Sequence, residues 1–491
     1  MYDYIIVGAG PSGLTLAWIL SQYNKKILLI DREETIGGCH RVRRMNKDEI
    51  QGGYFSEHGP RIYNTNAFNF KQIYEEMGGN YDNSFVPYNF GISQIGGQSV
   101  SNMGIKEIFW LVMAYINLII NNGYGKNQSV EEYCKKHNFS TQSQDYMNRL
   151  CRLSDGAGSD RYTLYEFLQL LNQHFFYQVL QPNKANDVGF LKIWDKALKS
   201  TGLVDIMLNT EVINIKQENQ RINSIEVKTG KETKSIGTKN TKYILAIPPT
   251  NLLKIMETSE IKNAFGNIQR FREWERMSKY ITYVPITFHW MNNKQNIPKE
   301  WGFTKSDWGL VYIVLSDYMT YIEKGSKTVI STCFTIENKK SSYTGKTIQE
   351  SSMEELREEA IRQLREAMPD LEPADKIIIS SELYRNEEKN GWLTKDNAFI
   401  VSTKGYMKRN QSREYKNLYS LGTHNGHHYY DFTSIESAVS NAISLGNKLV
   451  PESKKRYKIK NIITLIDVVR IIKIIFIIML IIFLYQRYLR T

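Results

Sequence analysis

Gly8, Gly10 and Gly13 stand at G-x-G-x-x-G spacing near the start of this 491-residue chain, and an acid, Asp31, follows them. Each residue type has its own use. Gly8 permits a tight turn. Gly10 lets a pyrophosphate approach the backbone. Gly13 lets the next helix pack close to the preceding strand. A helix opening at Pro11 and Ser12 would turn its free N–H groups and the positive end of its dipole towards phosphate. Asp31 can accept a hydrogen bond from a ribose 2′-OH. Together they make a site for an adenine dinucleotide. Just beyond, Arg32, the pair Gly37–Gly38, Cys39 and Arg41 can bring more backbone N–H groups and positive charge to the same pyrophosphate.

Other clusters are less specific. His424, His427 and His428 crowd one loop, but carboxylates at ligand spacing are missing, so no metal is expected. A proton shuttle or a plain loop fits them better. Asp155 and Asp160 flank glycines, yet their spacing fails the calcium-loop pattern and a turn is the default. Cys39, Cys134, Cys151 and Cys333 are scattered without a C-x-x-C, so neither zinc nor a disulfide framework is expected. Such usage implies a reducing, cytoplasmic compartment for the body of the protein.

The elements that must position these groups are legible in the pattern. Tyr4–Val7 and Ile27–Ile30 are apolar runs of strand formers. Leu14, Ala17, Trp18 and Leu20 lie on a helix between them. Ile105 to Ile120 and Thr163 to Leu180 read as apolar helices belonging to a core. Tyr280–Trp290, Leu310–Leu315 and Thr328–Thr335 read as strands, and Met353–Met368 as an amphipathic helix. The chain opens directly into a strand, so no leader peptide is expected. Hydrophobic residues make up 42% and charged residues 23%, which excludes a disordered chain. Net charge is +12, but no nucleic-acid recognition motif accompanies it, so nucleic acid is not an expected partner.

Much of the basic excess sits near the C-terminus, where Lys454, Lys455, Arg456, Lys458 and Lys460 precede an apolar tail. Ile474–Tyr485 is twelve residues without a charge, short of the roughly 20 that span a bilayer. Extension back to Ile462 reaches that length but takes in Asp467, Arg470 and Lys473. The tail therefore reads as a membrane anchor, either a short tilted span or a helix lying in one leaflet. A core helix is the soluble alternative.

Further segments carry a resemblance. Glu57 to Tyr63 holds a glycine turn with Gly59, Pro60, Arg61 and Ile62. Asn209–Ile215, Lys242–Pro249 and Leu418–Gly422 follow in order, and Thr433, Ser434 and Ile435 open a late helix. With the first glycines, this ordered set resembles the superfamily of flavin amine oxidases, protoporphyrinogen oxidases and phytoene desaturases, from Tyr2 to about Leu449. The resemblance implies an α/β fold: a Rossmann-like FAD-binding domain interleaved with an α+β substrate domain. The first would collect residues 1–90, 186–279 and 376–450, the second 91–185 and 280–375. Residues 451–491 would be a basic linker and anchor. It also implies FAD, with Val212 at the adenine, Gly422 and Thr423 on the late strand, and the helix opened by Thr433 and Ser434 aimed at the flavin; no cysteine lies near the late strand, so the flavin is expected to be noncovalent.

That family's catalytic lysine has no aligned counterpart; Lys279 is the nearest lysine, and His428 and Tyr430 are the other catalytic candidates. The family's arginine after Gly-Gly is Cys39 here. Gly59–Asn66 and Tyr429–Tyr430 are similar to UDP-galactopyranose mutase, but the middle of the chain lacks clear counterparts of its diphosphate arginines, although Arg149, Arg152 and Arg161 lie nearby in sequence. The expected activity is an FAD-dependent oxidoreductase that takes hydride from a C–N or C–C bond of a small molecule and is reoxidised by O₂ or another acceptor. A sugar-nucleotide mutase and an FAD-binding scaffold are the alternatives.

Overall fold

The computed structural model describes residues 1–44, 54–59, 61–88, 99–259, 261–277, 284–297, 302–319, 326–387, 390–395, 409–426 and 434–488. Pro60, Lys279, His427, His428, Tyr429, Tyr430 and Thr433 lie outside the described residues.

Tyr4–Val7 is wholly buried, as a strand flanked on both sides must be. It pairs in parallel with Ile27–Ile30 on one side and Lys242–Leu245 on the other. Leu418–Ser420 and Val204–Met207 complete a five-stranded parallel sheet in the order 418, 242, 4, 27, 204. The chain order reverses direction across the first strand, and the carboxyl ends of strands at such a switch point form a crevice. Pro11–Ser21 covers one face, buried along its whole length. The late helix Ile435–Leu449 packs against it so closely that a Cβ on Gly446 would lie 2.9 Å from Ile19. A meander of Thr210–Glu218, Arg221–Thr229 and Glu232–Ile236 shares a second core with the sheet.

A separate antiparallel sheet runs in the order Gly302–Phe303, Leu310–Val314, Thr328–Phe334, Val284–Trp290, Lys376–Ile379. Its three central strands are buried on both faces. Met353–Ala367 packs on this sheet, its start capped by Ser352 and Glu355. Lys376–Ile379 pairs with Val284–Trp290, so this strand belongs with the antiparallel sheet and not with the segments around the first glycines.

Two sequence expectations need correction. The helix expected over Thr163 to Leu180 stops at His174, and Val179–Pro182 is a strand between Tyr63–Asn64 and Phe85–Pro87. Ladder pairing there satisfies backbone groups that helical periodicity alone cannot reveal. The Ile105–Ile120 helix has the expected limits, but only Glu107, Ala114 and Leu118 are buried. The tail forms a 24-residue helix, Leu465–Tyr488, about 36 Å long, of which Ile466 is the one buried residue. It is long and apolar enough to cross a membrane, and its apolar window is not buried against the body, unlike a core helix.

Candidate functional site

The carboxyl ends of the parallel strands open into a cavity of about 520 Å³, a size typical of small-molecule and cofactor sites. The first turn lies at one side of it. Gly8 has φ +110°, and a Cβ there would overlap the Ala246 carbonyl oxygen. A Cβ on Gly13 would overlap the carbonyl oxygen of Gly8. These two glycines serve the packing of the protein itself. Gly10 differs: a Cβ would meet nothing nearer than Gly38 Cα at 3.8 Å. Its backbone, at φ −79° and ψ 176°, suits any L residue. The space over Gly10 is therefore a cradle that the described residues do not fill. Among the described residues no side chain caps the helix start, and the first turn holds no acid. A buried helix N-terminus without a side-chain cap suits a ligand oxygen, as phosphate supplies.

Gly37 N–H donates to the Ala9 carbonyl at 2.8 Å, which fixes the Gly37–Gly38 turn against the first one. Gly38, Cys39, Pro11, Ser12 and Arg32 line the cavity with Gly8 and Gly10; Gly13 and Gly37 stand behind them. Asp31 also lines it, with both carboxylate oxygens already engaged. Oδ2 accepts from Ala9 N–H at 2.7 Å, and Oδ1 from Glu33 N–H at 2.9 Å. Arg41 does not line the cavity. Its side chain, 2% exposed, meets Asp31 Oδ1 at 3.3 Å and donates from Nε to the Thr35 carbonyl at 2.8 Å. It is a positioning residue, holding the acid and the Gly37–Gly38 loop together. Arg32 donates to the Lys395 carbonyl at the mouth. Val212 lines the far end, beside Glu211 and Lys254, which pair at 3.5 Å.

Around the opposite end lies a buried polar cluster. His40 Nδ1 and Tyr63 Oη are 3.0 Å apart, and Asn186 Nδ2 donates to the His40 carbonyl at 3.0 Å. Burial, and then the Arg61 charge, hold His40 well below its ordinary range, so it is neutral. Burial pushes Glu57 up to about 7, against the pull of Arg61. Arg61 lines the cavity with Ile62, and its Nη2 is buried without a hydrogen-bond partner among the described residues. Burial opposes the guanidinium charge, but Cys39, Tyr63 and Glu57 outweigh it. A charged donor with a vacant N–H in a cavity wall favours an anionic guest. Gly59 stands behind, facing Cys333.

The late segment closes the ring of elements. Gly422, Thr423 and His424 line the cavity with Ser434, Ile435 and Glu436. Burial drops His424 to about 3, so it too is neutral. Ser434 Oγ accepts from Ser437 N–H at 3.1 Å and starts the Ile435–Leu449 helix, as the sequence suggested. Ser12 Oγ donates to the Ala438 carbonyl at 3.2 Å and joins the two helix starts. Glu436 accepts from the Asn69 and Phe70 N–H groups at 3.1 and 2.9 Å, and burial pushes it up to about 7.

Sequence reasoning singled out neither Glu436 nor Lys395 for this cavity. An acid in the first turn of the late helix was a usable signal for Glu436; nothing local marks Lys395. Arg149 and Arg152 do not line the cavity. Arg149 pairs with Asp145 at 2.9 Å and donates to the Thr304 carbonyl, and Arg152 donates to the Thr335 carbonyl. Among the described residues no group of His, Cys, Asp and Glu could hold a metal ion.

Comparison with known proteins adds three findings. Residues 6–77 match the NAD(P)-binding Rossmann-like domain, and residues 128–444 match the flavin containing amine oxidoreductase profile. UDP-galactopyranose mutases from Mycoplasma pneumoniae and Mycoplasma genitalium are 37% and 38% identical over 65 residues, which span 13% of this chain and only 15% of those proteins. Among solved structures, cyclohexylamine oxidase from Brevibacterium oxydans superposes with a TM-score of 0.62 at 11% identity, over 91% of this chain and 99% of that one. An oxidoreductase from Methanosarcina mazei gives 0.58 at 13% identity, over 90% and 99%. Likeness at such identity speaks for the fold.

Proposed function

The chain belongs to the family of flavin-containing amine oxidoreductases, and we propose that this FAD-dependent oxidoreductase removes hydride from a C–N bond of a small amine. The observation that carries the reading is the cavity itself. One crevice gathers the first glycine turn, Asp31, Gly38, Val212, Arg61 and the start of the Ile435–Leu449 helix, drawn from segments far apart in the chain. When bound, FAD supplies the hydride acceptor and passes the electrons to O₂ or another acceptor.

The chain's own residues bind and orient. Free N–H groups at Ser12 and Gly13, with the Gly38 backbone, would hold the pyrophosphate over Gly10. Asp31, steadied by Arg41, would face the adenosine ribose, and the Val212 backbone the adenine. Arg61 and the positive end of the Ile435–Leu449 helix would face negative charge at the flavin end. His40 and His424 stay neutral there and add no competing charge. As part of the same proposal, residues 1–90, 186–279 and 380–450 form the FAD-binding domain, and residues 91–185 and 280–379 the substrate domain.

Anaerobic mixing tests the reading. Purified protein should be yellow, and an amine or polyamine should bleach it without added reductant. Bleaching by a porphyrinogen or polyene alone would keep the oxidoreductase and move the substrate to a C–C bond. Interconversion of a sugar nucleotide by dithionite-reduced protein, without bleaching by any amine, would overturn the proposal in favour of a mutase. Bound FAD with silence in every panel would leave a scaffold.

A further inference from the structure

The Ile105–Ile120 helix carries Lys106, Glu107 and Asn117 among otherwise apolar or aromatic side chains, a composition found when a helix is largely buried or faces lipid. It is not wholly buried. Ile105, Ile108, Phe109, Val112, Ile116 and Ile120 are exposed, Ile105 by 88% and Ile120 by 78%. Ile105, Phe109, Val112, Ile116 and Ile120 recur at intervals of three and four, with Ile108 beside them, and form one stripe along the helix. Its other face is fixed to the body. Glu107 accepts from Gly104 N–H at 2.7 Å and Ser140 N–H at 2.6 Å, and Ala114 and Leu118 are buried.

The stripe has exposed apolar neighbours. The helix Leu164–His174 packs against the Ile105–Ile120 helix, and Leu171 on it and Phe175 and Phe176 just past its end are exposed by 55%, 66% and 48%. The tail helix rises from the same place. Asn172 Oδ1 accepts from Tyr115 Oη of the Ile105–Ile120 helix at 3.4 Å and from Ile466 N–H of the tail helix at 2.9 Å. Arg470 of the tail donates to Asn122, just past Ile120. Ile463 N–H donates to Tyr177 Oη at 3.0 Å, beside Phe176. Three helices are thus joined at one side chain, and Asn122 just past exposed Ile120 and Tyr177 beside exposed Phe176 both bond to the base of the apolar tail.

We infer that this surface is a second membrane contact, seated in the headgroup–acyl boundary of the leaflet that the tail helix enters. The inference rests on reading the tail as an anchor. A helix with one apolar stripe on a protein body lies in the interfacial plane, and its hold grows with the apolar area buried. Anionic lipid suits the exposed Lys454, Lys455 and Lys458, which lead into the tail. A second copy of the chain would cover the stripe equally well, but would leave it unrelated to the tail that starts beside it.

The test uses the full chain in vesicles of phosphatidylcholine and phosphatidylglycerol. Polarity-sensitive labels are placed singly through Val112→Cys, Ile478→Cys on the tail, and Glu358→Cys on the exposed side of the Met353–Ala367 helix. The expected result is quenching at 112 and 478 by brominated lipid, with 358 unaffected. Adding Phe109→Glu to the Val112→Cys chain should cut quenching at 112 by roughly tenfold while 478 stays quenched and FAD stays bound. Quenching at 478 but not at 112 would overturn the second contact and leave the anchor standing. No quenching at either position would remove the anchor and the inference together. A label at 112 shielded from both water and lipid, in a protein of doubled mass, would assign the stripe to a second copy.

Discussion

Gly10→Ala separates the glycine needed by a ligand from those needed by the fold. At Gly10 the new methyl group meets nothing nearer than Gly38 Cα at 3.8 Å, and φ −79° is open to alanine. Restricting the unfolded chain favours alanine by about 0.4–1 kcal/mol. Alanine is a poorer helix cap than glycine by a comparable amount. The apo protein should therefore keep its stability within about 1 kcal/mol. FAD binding should not survive, because the methyl group occupies the space over which the pyrophosphate must reach the helix N–H groups. A hundredfold loss of affinity corresponds to about 2.7 kcal/mol, and the same amount of ligand-derived stability should vanish at saturating FAD. Gly13→Ala is the contrast. Its methyl group would overlap Gly8 O and lie 3.2 Å from Gly8 C, backbone atoms held by the sheet. Overpacking of that kind costs about 1–3 kcal/mol or more, with or without FAD. Thermal unfolding of both variants, with FAD titrated by its fluorescence, reads the two effects apart. If Gly10→Ala binds FAD as the parent does, or if its apo form melts as early as Gly13→Ala, the reasoning fails.

Three further outcomes are expected. Arg41→Leu leaves Asp31 without its buried partner and should cost about 3–5 kcal/mol in urea unfolding, a loss Arg41→Lys recovers in part. Glu436 is raised above its unfolded value, so its contribution to stability is full below about pH 4.5 and lost as pH rises through about 7. Glu436→Gln should flatten that fall, even though its amide turns one N–H towards the Asn69 and Phe70 donors and lowers stability at pH 5; an unchanged slope in apo-protein melts across this window would show that the carboxyl does not titrate there. Deleting residues 471–491 should leave a soluble protein that holds FAD. Deletion from 461 also strips the buried Ile462 and Ile466, costs roughly 3–6 kcal/mol, and should show as a lower melting temperature than the 471 deletion gives.

What the sequence determined by itself was whatever depends on neighbours along the chain. G-x-G-x-x-G between an apolar strand and a helix, closed by an acid after the next strand, left one use for the first turn, and the ordered later segments pointed to FAD. The same holds for the Ser434 cap and the tail, whose length and composition are local properties. Tertiary structure decided the rest. Arg41 carries a charge suited to phosphate, yet it turns to Asp31 because the Gly37–Gly38 loop folds back on the first turn. Arg61 and Lys395 reach one cavity from distant segments. Gly8, Gly10 and Gly13 look alike in the sequence, and only the atoms opposite each tell a packing glycine from a binding one. Val179–Pro182 became a strand because partners from residues 63–64 and 85–87 were there to complete its ladder. The Ile105–Ile120 helix shows the limit most plainly. Periodicity marks the more apolar face of a helix, and here that face is exposed while Glu107 lies on the body side, so which face the body covers is set by what packs against it.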